Sequence, residues 1–191
     1  VRQARQTIIS SGVLLDASAL EKGDGGEIVV WSDINNPSSY TEARGVFLAR
    51  GGLRGGDGGR IETSGYQLDV AGIDINLEPF LPSYATGEWL IDPYDIIIGT
   101  GGWPTANPSW SNPYQSGNAS SIEVVDIVDA LNSANVSITT GDSSSPGSQD
   151  GDILISAPLS TSVNANTLAL TATGEININS DITRSAGGDL V

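Results

Sequence analysis

The 191-residue chain has no cysteine, no histidine and no methionine, and its only lysine is Lys22. Without thiol or imidazole there can be no disulfide framework, no Cys or His zinc site, no Cys nucleophile and no Ser-His-Asp triad. Catalysis is left to carboxylates, hydroxyls and arginines. Positive charge is scarce too: 8 Lys plus Arg face 23 Asp plus Glu, a formal net charge of -15. Affinity for nucleic acid comes from cations that neutralise phosphates, so nucleic acid and anionic membrane are poor candidates for a partner. No run approaches the ~18 apolar residues of a membrane span. The chain opens on Val1 and stops at Gly188-Asp189-Leu190-Val191, a strand just starting, and so reads as a piece of something longer.

What is present points to strands. Hydrophobic residues make up 38% of the chain, enough for one domain with a real core, while only 16% is charged. Glycine supplies 24 residues, and Ser, Thr and Asn are abundant. That bias favours many short strands joined by tight turns, because Gly, Asn and Asp tolerate the positive φ that such turns require. The expected class is all-β.

A repeat sharpens this. Gly12 to Gly26 can be laid without a gap on Gly45 to Gly59, at an offset of 33, with eight of fifteen positions identical, and Ile28 then falls on Ile61. Each copy has a short apolar run, a Gly-rich turn and a second strand-like run, neither of which buries its apolar face alone. Stacking one unit on the next would bury it, which is the logic of a solenoid. Apolar pairs two apart recur at Val136 and Ile138, Ile153 and Ile155, and Leu168 and Leu170, then Leu190 follows. Their intervals are too irregular for a propeller or a leucine-rich repeat but suit a parallel β-helix; a β-sandwich is the other all-β reading. Whether the 33-residue unit is one coil or two stays open at this point. The aliphatic positions expected to line the core are Ile28, Val30, Val46, Leu48, Ile61, Leu90, Ile96, Ile98, Ile138, Ile153, Ile155, Leu168, Leu170, Ile176 and Ile178.

Two segments break the pattern. Residues 120–134 predict a helix, with Val124, Ile127, Val128 and Leu131 on one stripe and Ser120 and Glu123 spaced as a capping box, lying across a sheet or closing a gap in the wall. Residues 99–118, with three prolines and glycines near both ends, predict a long loop. Its Trp103, Trp110 and Tyr114 are candidate ligand-binding residues that would stack on sugar rings, or else fold back over apolar surface. The expected organisation is β-helix coils over 1–98, the loop over 99–118, the helix over 119–135 and further coils over 136–191, in one continuous stack.

One stretch carries a resemblance. Gly87-Glu88-Trp89-Leu90-Ile91-Asp92-Pro93-Tyr94-Asp95-Ile96-Ile97-Ile98 resembles the Gly-x-Trp-Leu-[Leu/Ile]-Asp-Pro-x-[Asp/Asn]-Ile-x-Ile segment of filamentous haemagglutinin-like exoproteins of two-partner secretion systems. Upstream, Gly23 to Asp33, Ala43-Arg44-Gly45 and Gly55 to Gly65 are similar to that family's Gly-rich motifs. Downstream, Ile122 to Leu131 followed by Asn135 to Thr140 is similar to its short helix and next strand. The match covers about residues 12–191. It implies a right-handed parallel β-helix, exported unfolded through an outer-membrane transporter and serving outside the cell as an adhesin or filament. The family's secretion domain, with its Asn-Pro-Asn-type motif, is not found here, so engagement of the transporter would fall to another part of the protein. The implied partners are surface glycans and further copies of the chain, end to end or side by side.

Against this stands a polysaccharide-active β-helix enzyme, for which Asp92 and Asp95 are the natural carboxylates. The simpler reading puts both acids in a turn, with Asp92 accepting backbone N–H groups. The Gly-Asp-Gly-Gly turns at Asp24 and Asp57 invite a Ca2+ reading, yet two copies are not the tandem nonapeptides that such sites need. Turn geometry explains them, with Arg54 and Arg60 available to counter the two aspartates. Asn164, Asn166, Asn177 and Asn179 are candidates for a stabilising amide ladder. No catalytic residue, metal site or cofactor is expected.

Overall fold

A computed structural model describes residues 4–100, 120–141, 150–162, 166–185 and 187–191. The chain is all-β with parallel sheets. It opens with β1 (Gln6–Ile9) and β2 (Leu14–Asp16), followed by β3 (Glu27–Trp31), β4 (Tyr40–Ala43) and β5 (Val46–Leu48), then β6 (Arg60–Gly65), β7 (Gln67–Asp69) and β8 (Asp74–Asn76). Each strand of the last trio pairs in parallel with its counterpart three strands earlier. Glu27 lies opposite Arg60 and Ile28 opposite Ile61, so the 33-residue repeat is one circuit through three strands. The circuits continue through β9 (Glu88–Pro93), β10 (Ile96–Gly99), β11 (Ser120–Glu123), α1 (Val124–Ala130), β12 (Asn135–Thr139), β13 (Ile153–Ile155), β14 (Leu159–Thr161), β15 (Leu168–Thr171), β16 (Ile176–Ile178) and β17 (Ile182–Arg184).

The strands gather into walls. One sheet runs β15-β12-β9-β6-β3 and a second runs β1-β4-β7-β11-β10-β13-β16. Two further sheets are β2-β5-β8 and the pair β14-β17. The helix packs on both β8 and β14, and Ser133 just beyond it accepts the N–H of Leu77 at 3.1 Å and donates its hydroxyl to the Ile75 carbonyl at 2.5 Å. It therefore bridges these two smaller sheets.

The helix is shorter than its apolar stripe predicts. Ser120–Glu123 is a strand: it pairs with β10 and, through Ser121 opposite Asp69, with β7. The helix begins at Val124 behind Glu123, whose side chain makes no capping hydrogen bond, and Ser120 Oγ instead accepts the backbone N–H of Leu68 at 2.9 Å. The capping-box spacing is thus a coincidence, overridden because ladder bonds on both sides satisfy this segment's backbone. Val124, Ile127 and Leu131 are buried as the stripe requires. Likewise β10 extends through Gly99, one residue into the segment expected to be loop.

Side-chain alternation sets the core. Ile28, Ile61, Trp89, Val136 and Leu168 share one inward row, and Val30, Thr63, Ile91, Ile138 and Leu170 share the next. Ile96, Ile98, Ile153 and Ile155 are buried as expected, but other positions need correction. Val46 and Leu48 face out, opposite Asp74 and Asn76, while Phe47 and Ala49 point in and are wholly buried. Leu90 is half-buried between inward Trp89 and Ile91. The cause is alternation itself: in Val46-Phe47-Leu48 three apolar residues compete for one inward position and the largest takes it. Ile176 and Ile178 are 42% and 53% exposed because they lie on the last strand of their sheet, opposite Ile153 and Ile155 with no further strand beyond. The repeat also slips locally. Leu14, not Val13, lies opposite Val46, an offset of 32, and the 33-residue offset is recovered by Glu27. Val13 and Leu14 are both exposed at this end of the wall.

Candidate functional site

The carboxylates singled out by the sequence do not converge. Asp92 follows inward Ile91 on β9, so it projects from the outer face of the first sheet, opposite Ser64 and within electrostatic reach of Glu62. Burial raises its carboxyl to about 6, with the Thr139 hydroxyl pulling it down and the Glu62 charge pushing it up. Glu62 is itself buried, receives the Ser64 hydroxyl at 3.0 Å and pairs with Arg60 at 2.7 Å. Asp95 sits beyond the turn and accepts the backbone N–H groups of Gly151 and Asp152, both at 2.9 Å. Burial raises its pKa, opposed by those two N–H groups and reinforced by Asp152 and Asp150. The backbone-accepting role expected of Asp92 thus belongs to Asp95, and it is played across circuits rather than within one turn.

The Gly-Asp-Gly-Gly turns form a ladder. Asp24 Oδ1 accepts the N–H of Asp57 at 2.8 Å, and Asp57 Oδ1 accepts the N–H of Ala85 at 2.8 Å. Arg54 and Arg60 do not counter these aspartates: Arg54 lies 3.8 Å from Glu21, and Arg60 2.7 Å from Glu27. Among the described residues no three Asp or Glu side chains are grouped so as to hold a metal ion. A different, local use of the same group occurs at strand ends, where Asp16, Asp69 and Asn76 each accept the N–H two residues on.

A denser network lies on the outer face of the second sheet. Asp69, almost wholly buried, pairs with Arg44 and accepts the Tyr40 hydroxyl at 3.4 Å, while Tyr40 also donates to Glu42 at 3.0 Å. Burial, with the charges of Asp69 and Glu42, raises the Tyr40 phenol, and the hydrogen bond to Asp69 raises Arg44. Arg44 is shared by Asp69 and Glu42, and the Tyr40 hydroxyl lies against both carboxylates, so the cluster fastens β4 to β7. Asp126 on α1 is less well served. It accepts the Gly72 N–H at 3.2 Å through one oxygen, and the other has no hydrogen-bond partner among the described residues. Burial raises it to about 6, with Glu123, Asp129 and Asp69 adding to the rise and the Gly72 N–H opposing it.

Trp103, Trp110 and Tyr114 lie outside the described residues, as does Asn164. Of the other candidates for an amide ladder, Asn166 and Asn177 bond to different kinds of partner. Asn166 donates to the Leu131 carbonyl at 3.0 Å, whereas Asn177 is hydrogen-bonded to Glu175 at 3.3 Å on the last strand of its sheet. Asn135 ties together segments on both sides of it: its Oδ1 accepts the Thr167 N–H and its Nδ2 donates to the Thr86 and Gly87 carbonyls.

Sequence reasoning missed one surface. The loops that enter β3, β6 and β9 carry Leu20, Leu53, Phe80 and Tyr84, all exposed. The repeat already placed Leu20 over Leu53, and that was the available signal. No family model matches the chain, and no curated protein matches it.

Proposed function

We propose that the chain is an internal segment of a right-handed parallel β-helix in a large secreted exoprotein of the filamentous haemagglutinin-like type, acting in surface attachment or as a filament. The observation that carries this reading is the parallel pairing of strands one circuit apart, with the Gly87 to Ile98 motif spanning the step from β9 to β10. A chain that piles circuit on circuit grows by about 4.8 Å each time, so length is obtained cheaply and binding loops are carried away from the cell. The acidic surface keeps neighbouring rods apart. Export would run through a two-partner outer-membrane transporter, engaged by another part of the protein, and attachment would be to surface glycans or to further copies of the chain.

The reading is non-enzymatic. Asp92 and Asp95 have separate hydrogen-bonding tasks, one on a sheet's outer face and one gathering two backbone N–H groups, which supports structural work over paired acid-base chemistry. The test is to image the product of the full reading frame by electron microscopy and to assay it for glycan binding and reducing-sugar release. Rods that bind without turnover support the proposal; compact particles, or turnover lost on Asp92→Asn, overturn it.

A further inference from the structure

We propose that Leu20, Leu53, Phe80 and Tyr84 form a binding platform for an uncharged pyranose glycan. The proposal gives a site to the glycan attachment proposed above and rests on that reading for its ligand class; rods that form but bind no neutral glycan would count against this site and leave the rod reading standing. The four side chains are 85%, 54%, 51% and 38% exposed, in a protein whose only other phenylalanine, Phe47, is wholly buried. They sit on three successive loops, residues 17–26, 49–59 and 77–87, joined to one another by backbone bonds. Ala19 donates to Arg50 at 3.0 Å, Arg54 to Glu21 at 2.6 Å, Gly51 to Glu78 at 3.3 Å and Gly58 to Ala85 at 2.8 Å. The aspartate ladder adds a second set of ties. Tyr84 lies against Gly55, where an added Cβ would come within 2.6 Å of its Cζ, so the ring is seated on the neighbouring loop rather than free to swing. A platform ordered before binding loses little entropy when a ligand arrives.

Charge selects the ligand. These loops hold three of the chain's eight cations, Lys22, Arg50 and Arg54, against Glu21, Asp24, Asp57 and Glu78, so 3 minus 4 leaves them at -1 out of -15. Arg54 lies 3.8 Å from Glu21, and Arg50 is within electrostatic reach of Asp16. The strip is nearly neutral and offers no concentrated charge to an ion. Its size argues against a second copy: four side chains exposed to 85%, 54%, 51% and 38% offer on the order of 400 Å², well short of the ~800 Å² per partner that a stable interface buries. A pyranose fits the chemistry. Its C–H face stacks on an aromatic ring, its hydroxyls meet the charged and hydroxyl groups at the rim, and its length is close to the spacing between loops.

The experiment is titration of the 191-residue chain with cellohexaose, chitohexaose, xylohexaose and laminarihexaose, alongside a wider neutral-glycan array, with sedimentation to read oligomeric state. At least one neutral glycan should bind saturably. Phe80→Ala and Tyr84→Ala should each weaken it about tenfold or more, Tyr84→Phe by less than about threefold, and Leu14→Ser at the end of the β2-β5-β8 sheet not at all. Leu53→Glu, at an exposed position that leaves the fold intact, should also weaken it. Absence of neutral-glycan binding overturns the proposal, as does binding that persists in the Phe80→Ala/Tyr84→Phe/Leu53→Glu triple variant. A self-association that these substitutions abolish overturns it in favour of a second copy.

Discussion

The carboxylate of Asp24 accepts the backbone N–H of Asp57, 33 residues further along, at 2.8 Å, and Asp57 repeats the arrangement with Ala85. An exposed carboxylate here replaces a ladder bond where the loops leave the sheet. Asp57→Ala should cost about 1 kcal/mol in denaturant unfolding, Asp57→Asn much less because an amide oxygen still accepts, and a chelator should leave the melting temperature unchanged. A fall in melting temperature on chelation would return these aspartates to a cation role.

Close backbone approach gives the second prediction. A Cβ on Gly58 would overlap the Leu77 carbonyl and the Gly87 nitrogen, while at Gly72 an added Cβ meets nothing within 4 Å and only φ +71 resists it. Gly58→Ala should therefore destabilise by more than about 3 kcal/mol, and Gly72→Ala by about 1 kcal/mol. Equal losses would mean that the loops are not packed backbone to backbone.

Asp92 and Asp126 set a pH dependence. Both are raised to about 6 by burial, above their ordinary value near 3.8, so the folded chain holds more protons than the unfolded chain between those limits. Stability should accordingly be greatest near the lower limit, decline as pH rises through that window and level off above it. Asp126→Asn keeps an acceptor for Gly72 and should raise stability at pH 7 by on the order of 1 to 3 kcal/mol while flattening the profile. A profile unchanged in the Asp92→Asn/Asp126→Asn variant would show that other groups govern it.

Inside the stack, Trp89 Nε1 donates to Thr63 Oγ1 at 3.2 Å, and both residues are fully buried. Thr63→Val preserves shape but strands the indole N–H, at a cost of about 1 to 3 kcal/mol, whereas Thr63→Ser should recover most of it. Calorimetry of the pair reads the difference.

Ser120→Ala separates a strand from a capping box. It removes the acceptor of the Leu68 N–H and should cost about 1 to 2 kcal/mol with no loss of helical circular dichroism. A loss of helical signal would return Ser120 to the helix.

Period and alternation made the parallel class and most of the inward rows readable, because Ile28 over Ile61 and Ile153 beside Ile155 are local patterns repeated at fixed distance. What was not readable depends on partners far along the chain. Val46, Phe47 and Leu48 are all apolar, and only pairing with Asp74, Ile75 and Asn76 shows which points in. Ser120 and Glu123 satisfy a helix signature until the strands on either side claim them. Asp95 looks like a turn residue, yet its donors lie 56 and 57 residues away. The exposed column was half written in the repeat, but exposure itself is a property of what packs nearby, and no periodicity records it.

Between β7 and β10 lies β11, a strand that comes later in the sequence than both. As the polypeptide emerges from its amino end, the first circuits can close one after another, each on the last. At Gly99 that zippering halts, since the seat beside Gln67–Asp69 stays empty until Glu123 has been delivered. Assembly of the second sheet is therefore discontinuous in time: β13 and β16 extend it beyond a seam that only a returning stretch of chain can close, while β12 adds directly to β9 in the first sheet.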